Sequence, residues 1–466
     1  MALSTTNEAE CTRRVNLDGN RQDSKRLYLD SLRGIAAIVV VCTHFIQAFY
    51  PFAVFGGSYR QKSSLETLLH WPPFSLVVSG HFAVCLFFVL SGFVLTSGHM
   101  QSQSQGSTRL FRAMIKRPIR LGGMVAFSVV VGFFLSKCGF FLNDRVSWLT
   151  GSQPWFSSFW SESVSTWSLA SDMVLGLFST SENYNPPMWS IHKELKGSYI
   201  VFLYLLIRIR LTTTQRTAVL VALFLLLFNS IYVGFVIGLA FAELDQLPFA
   251  DRVRAFPKKP LWILLIGLLV GMQPNYLQHS ALSTPVAWTF LSTFGTGGFS
   301  MLGASLVFGG VLFSRPIQQA LDHRVLRYVG SVSYAMYAMH FLLLGSFTSW
   351  LYLNVVSGLG HFGATICSVA VTIPVLALLS HVVTNTVDRR SHAFSNWFAN
   401  KCLPDKRSTP LIESLAGNIT NLGSIYLRRG RMQMIRGYCS VIAIPSRSEG
   451  RQSRSSLRDV SEKLEQ

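Results

Sequence analysis

The chain has 466 residues, of which 50% are hydrophobic, 13% aromatic and only 14% charged. About a quarter of the residues of soluble globular proteins are charged, so this composition, together with repeated apolar runs of roughly 18–25 residues, excludes an ordinary soluble domain and predicts a polytopic helical membrane protein. The formal net charge of +19 is also typical of nucleic-acid-binding proteins. Here the basic residues concentrate in loops on one side of the predicted membrane. We therefore expect the lipid bilayer as a partner and expect no nucleic acid to bind.

The residues that common metal and nucleophile sites require do not occur in the necessary patterns. The seven cysteines are scattered and include no CxxC pair, which argues against a disulfide framework and a zinc site. There is also no GxSxG nucleophile elbow and no HExxH metal helix. Residues 1–25 are polar and the first apolar segment is too long for a signal peptide, so we expect no cleaved leader. Any chemistry must come from ionisable groups inside the membrane segments, without a metal.

The distribution of apolar and polar residues divides the chain into three regions. We predict a disordered basic N-terminal tail over 1–25, a transmembrane domain over 26–395 and a cytosolic, basic, largely disordered tail over 396–466. The domain is expected to be all-α, with about ten transmembrane helices in one bundle and both termini cytosolic, because this places most Lys and Arg residues on one side. Nine or eleven helices are the alternatives. The predicted spans are 27–49, 75–98, 119–142, 188–207, 215–228, 229–243, 260–273, 289–313, 328–353 and 361–386.

The first span is apolar but contains Arg33 and His44. At 100° per residue, the eleven steps between them turn the helix by about 20° more than three full turns. The two side chains therefore share a helix face, with ~16 Å of rise between them. Ionisable groups in a membrane helix are costly and usually face a polar cavity or the bundle interior. We therefore predict that this helix lines a site. The alternative for His44 is a structural histidine with satisfied hydrogen bonds.

Two charged clusters lie at the ends of later spans. Arg117 and Arg120 are three residues apart and share a helix face, an arrangement that can bind phosphate; the alternative is an ordinary basic flank. Trp189 and Glu194 begin the fourth span among other charged residues. A glutamate at membrane depth can orient a histidine or hold a substrate hydroxyl, whereas the alternative is an interfacial cluster at a helix end.

The ninth span carries hydroxyl groups and an imidazole at helical spacing. Ser333, Tyr337 and His340 recur on one face, and Tyr334 shares a face with Tyr337. Such a face forms either an interhelical hydrogen-bond seam or the wall of a cavity. The sequence does not choose between the two.

Taken in order, these motifs resemble the acyltransferase-3 family of integral membrane acyltransferases. They are LDSLRGIAAIVVVCTH (29–44), FFVLSGFVLT (87–96), RPIR (117–120), NPPMWSIHKELKGS (185–198), SYAMYAMH (333–340) and VDRR (387–390). The resemblance covers about residues 26–395. The fourth motif is most similar to fungal members, many of which act in polysaccharide modification or secondary metabolism, although His192 and Lys193 depart from the WSLxxE pattern of the family.

The resemblance implies an acyl-CoA-dependent O-acyltransferase with a ten-helix core and no bound cofactor. Acyl-CoA, in particular acetyl-CoA, would enter from the cytosol as the donor substrate, and a hydroxyl-bearing acceptor would take the acyl group. His44 and Arg33 would form the catalytic pair. The residues predicted to bind substrate are Arg117, Arg120, Trp189, Glu194, Ser333, Tyr334, Tyr337 and His340.

The expected mechanism is direct transfer with His44 as the general base. Arg33 and the hydroxyl groups of the ninth span would stabilise the negative charge that develops during the reaction. An acyl-histidine intermediate is the variant. The expected acceptor is a terpenoid or polyketide of secondary metabolism, or a glycan, and O-acetylation is the expected outcome. The alternatives are a transporter that uses the same charged residues as a substrate path and a membrane-bound O-acyltransferase of the lipid- or protein-modifying type. The protein is expected in an endomembrane or the plasma membrane.

Overall fold

Helices form all the regular secondary structure in the part of the chain that the computed structural model describes, which is residues 26–100, 106–161, 165–178, 183–256, 258–272 and 298–403. The α-helices in this part are α1 (Leu27–Phe49), α2 (Phe52–Phe55), α3 (Ser64–His70), α4 (Gly80–Met100), α5 (Gly106–Lys137), α6 (Asn143–Thr150), α7 (Thr166–Leu175), α8 (Trp189–Arg208), α9 (Thr213–Leu227), α10 (Val233–Leu244), α11 (Pro248–Arg254), α12 (Lys258–Gly271), α13 (Gly298–Phe313), α14 (Arg315–Leu321), α15 (Arg324–Leu343), α16 (Ser349–Val383) and α17 (Arg389–Cys402). Short 3-10 turns cover Gly56–Ser58, Phe74–Val78 and Pro186–Met188, and π-helical turns cover Leu344–Thr348 and Thr384–Asp388.

The all-helical fold class is confirmed for the described residues, and several predicted spans coincide with helices. Helix α1 has the predicted bounds, and it ends before Pro51 because the residue preceding a proline is displaced from the helical region. Within the described residues, four helical stretches are long and apolar enough to cross a membrane, or up to six if the bent pairs α10/α11 and α13/α14 each count as one span. The number of ten spans and the cytosolic location of the termini stay predictions.

The domain boundaries that we predicted fall partly outside the described residues. The N-terminal tail, 1–25, lies outside them, as does residue 404 onward. Helix α17 continues to Cys402, beyond the boundary predicted at residue 395. The predicted eighth span is described only from Gly298.

The helices that surround the site are α1, α4, α5, α8 and α15. Helix α1 packs against α4 and α15, and α4 also contacts α8, α10 and α13. Helix α5 packs against α8, α15 and α17. The chain therefore brings helices from its beginning, middle and end around one interior region.

The crossing of α1 and α15 depends on two glycines. A Cβ atom placed on Gly34 would lie 2.6 Å from the backbone nitrogen of Gly330, and one placed on Gly330 would collide with the carbonyl oxygen of Asp30. The two backbones are thus in direct contact, as small residues permit between membrane helices. This close approach allows side chains further along α1 and α15 to meet.

A glycine also divides the long helical stretch that ends the described chain. Gly360 in α16 has φ 65° and ψ 176°, a conformation that side-chain-bearing residues rarely adopt. The break separates the stretch Arg324–Cys402 into two helical parts. Its position lies between the ninth and tenth spans predicted from the sequence.

Candidate active site

Two cavities lie along the face of α1 that carries the predicted catalytic residues. The larger, of about 390 Å³, is lined by α1, α4, α5, α8, α15 and the turn that contains Asp388. The smaller, of about 230 Å³, contains His44. Val84 and Tyr337 line both cavities and so form a shared wall between them.

The predicted site residues divide between these cavities. Those that line the larger cavity are Arg33, Arg117, Arg120, Glu194, Ser333, Tyr334 and Tyr337. Those that line the smaller cavity are His44, Trp189 and Tyr337. Only His340 lines neither, and it is fully buried beside His44.

An ion pair between α5 and α8 forms one wall of the larger cavity. Arg117 Nη2 donates to Glu194 Oε1 at 2.6 Å, and Arg117 Nε donates to Ser198 Oγ at 3.0 Å. From α4, Ser91 Oγ donates to the same Glu194 oxygen at 3.1 Å. Oε1 of the Glu194 carboxylate thus accepts hydrogen bonds from two neighbouring helices, and the Arg117 guanidinium is held in a fixed position.

Two further arginines face the larger cavity. Arg33 Nη1 donates to Asp30 Oδ1 at 3.2 Å, and both side chains are partly exposed. Arg120 is exposed, and no ion pair is found for it among the described residues. A guanidinium has five N–H donors, so Arg33 and Arg117 keep donors beyond those that their carboxylates use. The cavity can therefore offer three guanidinium groups to an anionic ligand.

The tyrosine hydroxyl groups of α15 are hydrogen-bonded to backbone carbonyls of neighbouring segments. Tyr334 OH donates to the carbonyl of Leu121 at 2.8 Å, and Tyr337 OH donates to that of Pro187 at 2.9 Å. Ser333 Oγ donates to a carbonyl one turn earlier in its own helix. The two tyrosines thus act both as an interhelical seam and as a cavity wall, which are the two roles that the sequence left open.

The smaller cavity presents a pair of histidines from α1 and α15. His44 Nδ1 lies 2.9 Å from His340 Nε2, and His340 Nδ1 lies 2.7 Å from the carbonyl oxygen of Tyr337. A carbonyl can only accept, so the proton of a neutral His340 sits on Nδ1 and its Nε2 accepts from His44 Nδ1–H. His44 Nε2 is then left with a free lone pair. The hydrogen bonds select the tautomer that a general base needs.

Aromatic rings cover the remaining sides of His44. The Trp155 ring stacks on the imidazole with centroids 6.3 Å apart and an interplanar angle of 8°. Phe341 meets it edge-on at 5.1 Å. These rings limit the access of water to the base from outside the cavity.

Comparison with known proteins gives the family. A profile of the acyltransferase-3 family, described as an acyltransferase domain, matches residues 26–381. The chain belongs to this family. It is therefore an acyltransferase, and the apolar helices together with the family support a membrane protein.

Two fungal proteins are similar to this acyltransferase over most of their lengths. The acyltransferase clz18 of Cochliobolus lunatus is 26% identical over 412 residues, which is 72% of this chain and 86% of the relative. The acyltransferase R4 of a Phoma species is 24% identical over 401 residues, 70% of this chain and 84% of the relative. No solved structure matches the chain.

Three residues that the sequence analysis did not identify as site residues also lie at the two cavities or beside His44. Trp155 was not among the predicted site residues, yet it stacks on His44. Asp388 lines the larger cavity, and one of its carboxylate oxygens is buried and has no hydrogen-bond partner among the described residues. The VDRR segment was the one signal for Asp388. Gln47 lines the smaller cavity one turn beyond His44, a position that helical spacing alone would have suggested.

Proposed function

We propose that this acyltransferase moves a short acyl group from acyl-CoA to the hydroxyl group of an acceptor, and that His44 is the general base. Acetyl is the acyl group that we propose to test first. The observation that carries the proposal is the hydrogen-bonded pair of His44 and His340, which lies beside a cavity that shares two wall residues with one lined by three arginines. A base with a free lone pair beside a space for a thioester is what acyl transfer to an alcohol requires.

The larger cavity supports acyl-CoA as the donor. Phosphate groups are bound well by guanidinium groups, which offer paired N–H donors, and Arg33, Arg117 and Arg120 surround this space. Arg120 is exposed, so we place the nucleotide end of the coenzyme at that side, with the thioester directed toward Val84 and Tyr337. The basic flank of α5 supports a cytosolic location for this side by the positive-inside rule.

The reaction that we propose is direct transfer. His44 Nε2 takes the proton of the acceptor hydroxyl as its oxygen attacks the thioester carbonyl carbon. The tetrahedral intermediate collapses as the carbon–sulfur bond breaks, and the coenzyme thiolate receives the proton from His44. The products are an ester and free coenzyme A. Gln47 and Trp189 carry N–H groups in the same cavity and are the candidates to stabilise the negative oxygen.

Arg33 takes a role in donor binding within this proposal. Its side chain bonds Asp30, one turn toward the start of α1, and it lies in the larger cavity. About 16 Å of helix rise separates it from His44. Direct stabilisation of charge at the reacting carbon therefore falls to residues of the smaller cavity, and Arg33 contacts the phosphate groups.

The acceptor that we propose is a hydroxyl group of a secondary metabolite of the terpenoid or polyketide class, or of a glycan. The smaller cavity is about 230 Å³ and combines polar groups with aromatic rings such as those of Phe55 and Phe82. This volume accommodates the reacting end of such a molecule.

The test is acyl transfer by His44→Ala. Membranes that contain the wild-type protein, incubated with radiolabelled acetyl-CoA and a cell extract as the source of acceptors, should form an alkali-labile labelled ester. The H44A variant should lower the rate by about 10²–10⁴-fold, since that is the usual contribution of a general base. His99→Ala is the matched control, because His99 lies in neither cavity.

If H44A transferred the acyl group at the wild-type rate, His44 would be neither the general base nor the carrier of an acyl intermediate. Labelled substrate that crosses the membrane without forming an ester would favour the transporter instead. The profile of metabolites and glycans from a deletion strain, searched for the loss of an acetyl-sized mass, would identify the acceptor.

A further inference from the structure

The two cavities share two wall residues, one from α4 and one from α15. Val84 of α4 and Tyr337 of α15 line both spaces, and they are only 7% and 6% exposed. Phe87, one turn after Val84, meets the Tyr337 ring edge-on at 6.3 Å. The two side chains therefore stand between the arginine-lined cavity and the cavity of His44.

Tyr337 is held in place by hydrogen bonds at both ends. Its hydroxyl group donates to the carbonyl of Pro187 at 2.9 Å and lies 2.8 Å from Ser190 Oγ, while its backbone carbonyl accepts from His340. Val84 is β-branched and has essentially one rotamer in a helix. Neither side chain can move aside cheaply, so both keep their positions at the boundary between the two cavities.

We propose that Val84 and Tyr337 form a constriction that determines which acyl groups the enzyme accepts, and that Val84 limits the bulk at the carbon next to the thioester carbonyl. The inference rests on the proposed function, because it needs acyl-CoA in the larger cavity. The acyl end passes the constriction to reach His44, while the coenzyme stays on the arginine side.

Two isomeric donors separate this effect from hydrophobicity. Butyryl-CoA and isobutyryl-CoA have the same atoms, but the isobutyryl group is branched at the carbon beside the carbonyl. In a close-packed interior, extra width forces neighbouring groups off their preferred positions. One methyl group too many in a pocket typically changes discrimination by about 10–200-fold. The wild-type protein should therefore bind butyryl-CoA about tenfold more tightly than isobutyryl-CoA.

The experiment is competition binding on protein in lipid nanodiscs. Unlabelled butyryl-CoA and isobutyryl-CoA displace radiolabelled acetyl-CoA, and the ratio of their inhibition constants is measured. Val84→Ala should bring the ratio close to one, and Val84→Leu should raise it above the wild-type value. Val89→Ala is the matched control, because Val89 is a buried valine of the same helix and lines neither cavity.

Three results would each overturn the constriction and leave the proposed function standing. They are an unchanged ratio in V84A that still binds acetyl-CoA, no preference in the wild type, and an equal change of the ratio in V89A. If V84A does not fold, a ratio in V84L at or below the wild-type value overturns the constriction in the same way. Wild-type protein that binds no acyl-CoA would overturn the proposed donor, and the inference with it.

Discussion

His340 owes its importance to two hydrogen bonds rather than to contact with a cavity. It is fully buried and links the carbonyl of Tyr337 to the ring of His44. Through these bonds it fixes both the tautomer and the direction of the proposed base. We therefore regard His340 as a positioning residue, whereas the sequence predicted a substrate-binding one.

Replacement of His340 should affect turnover and leave donor binding intact. We expect His340→Ala to lower kcat by about 10²-fold, near the lower end of the contribution of a general base, with an unchanged KM for acetyl-CoA. His340→Gln keeps an acceptor for His44 Nδ1–H and should recover part of the loss. Steady-state acyl transfer measures both constants. An unchanged kcat in H340A, or a loss confined to KM, would contradict the positioning role.

The ion pair between Arg117 and Glu194 is the second residue-scale feature with a measurable consequence. The Arg117 side chain is 13% exposed, so Glu194→Ala leaves a nearly buried cation without its carboxylate. Breaking such a pair typically costs about 3–5 kcal/mol. We expect a clear fall in the midpoint of thermal unfolding.

Asp251→Ala provides the matched control for this prediction. Asp251 also pairs with an arginine, Arg254, but its side chain is 80% exposed. Exposed pairs contribute about 0–1 kcal/mol, so D251A should unfold near the wild-type temperature. Equal midpoints for E194A and D251A would show that the cavity pair does not stabilise the protein as we describe.

At the scale of helices, the crossing of α1 and α15 places the two histidines together. The backbones meet at Gly34 and Gly330, near the ends of these helices that lie away from His44 and His340. Direct contact there sets the distance between the helices along the following turns. The 2.9 Å contact between the rings depends on this spacing.

Gly330→Ala should separate the helices, because its Cβ would collide with the carbonyl oxygen of Asp30. A displacement of about 1 Å can cost about 10² in rate, so we expect a loss of acyl transfer together with a lower unfolding temperature. Gly98→Ala in α4 is the control, since a Cβ there has no neighbour within 4 Å. If G330A kept wild-type transfer and stability, the crossing would not position the site.

At the scale of the whole molecule, the sequence predicted the helical class, the bounds of α1 and the family. Hydropathy reports apolar segments directly, and helical periodicity placed Arg33 and His44 on one face. Neither hydropathy nor periodicity could place His44 against His340, because this contact joins residues that are 296 positions apart in the sequence. For the same reason the constriction at Val84 and the contribution of Asp388 needed the packed bundle.

The most direct test of the account is a structure of the protein in nanodiscs with a non-hydrolysable thioether analogue of acetyl-CoA. We predict the phosphate groups beside Arg33, Arg117 and Arg120, the sulfur between Val84 and Tyr337, and the acetyl group in the cavity of His44, with room for a hydroxyl between its carbonyl carbon and Nε2. The coenzyme bound outside the larger cavity, or with its acetyl end directed away from His44, would contradict the account.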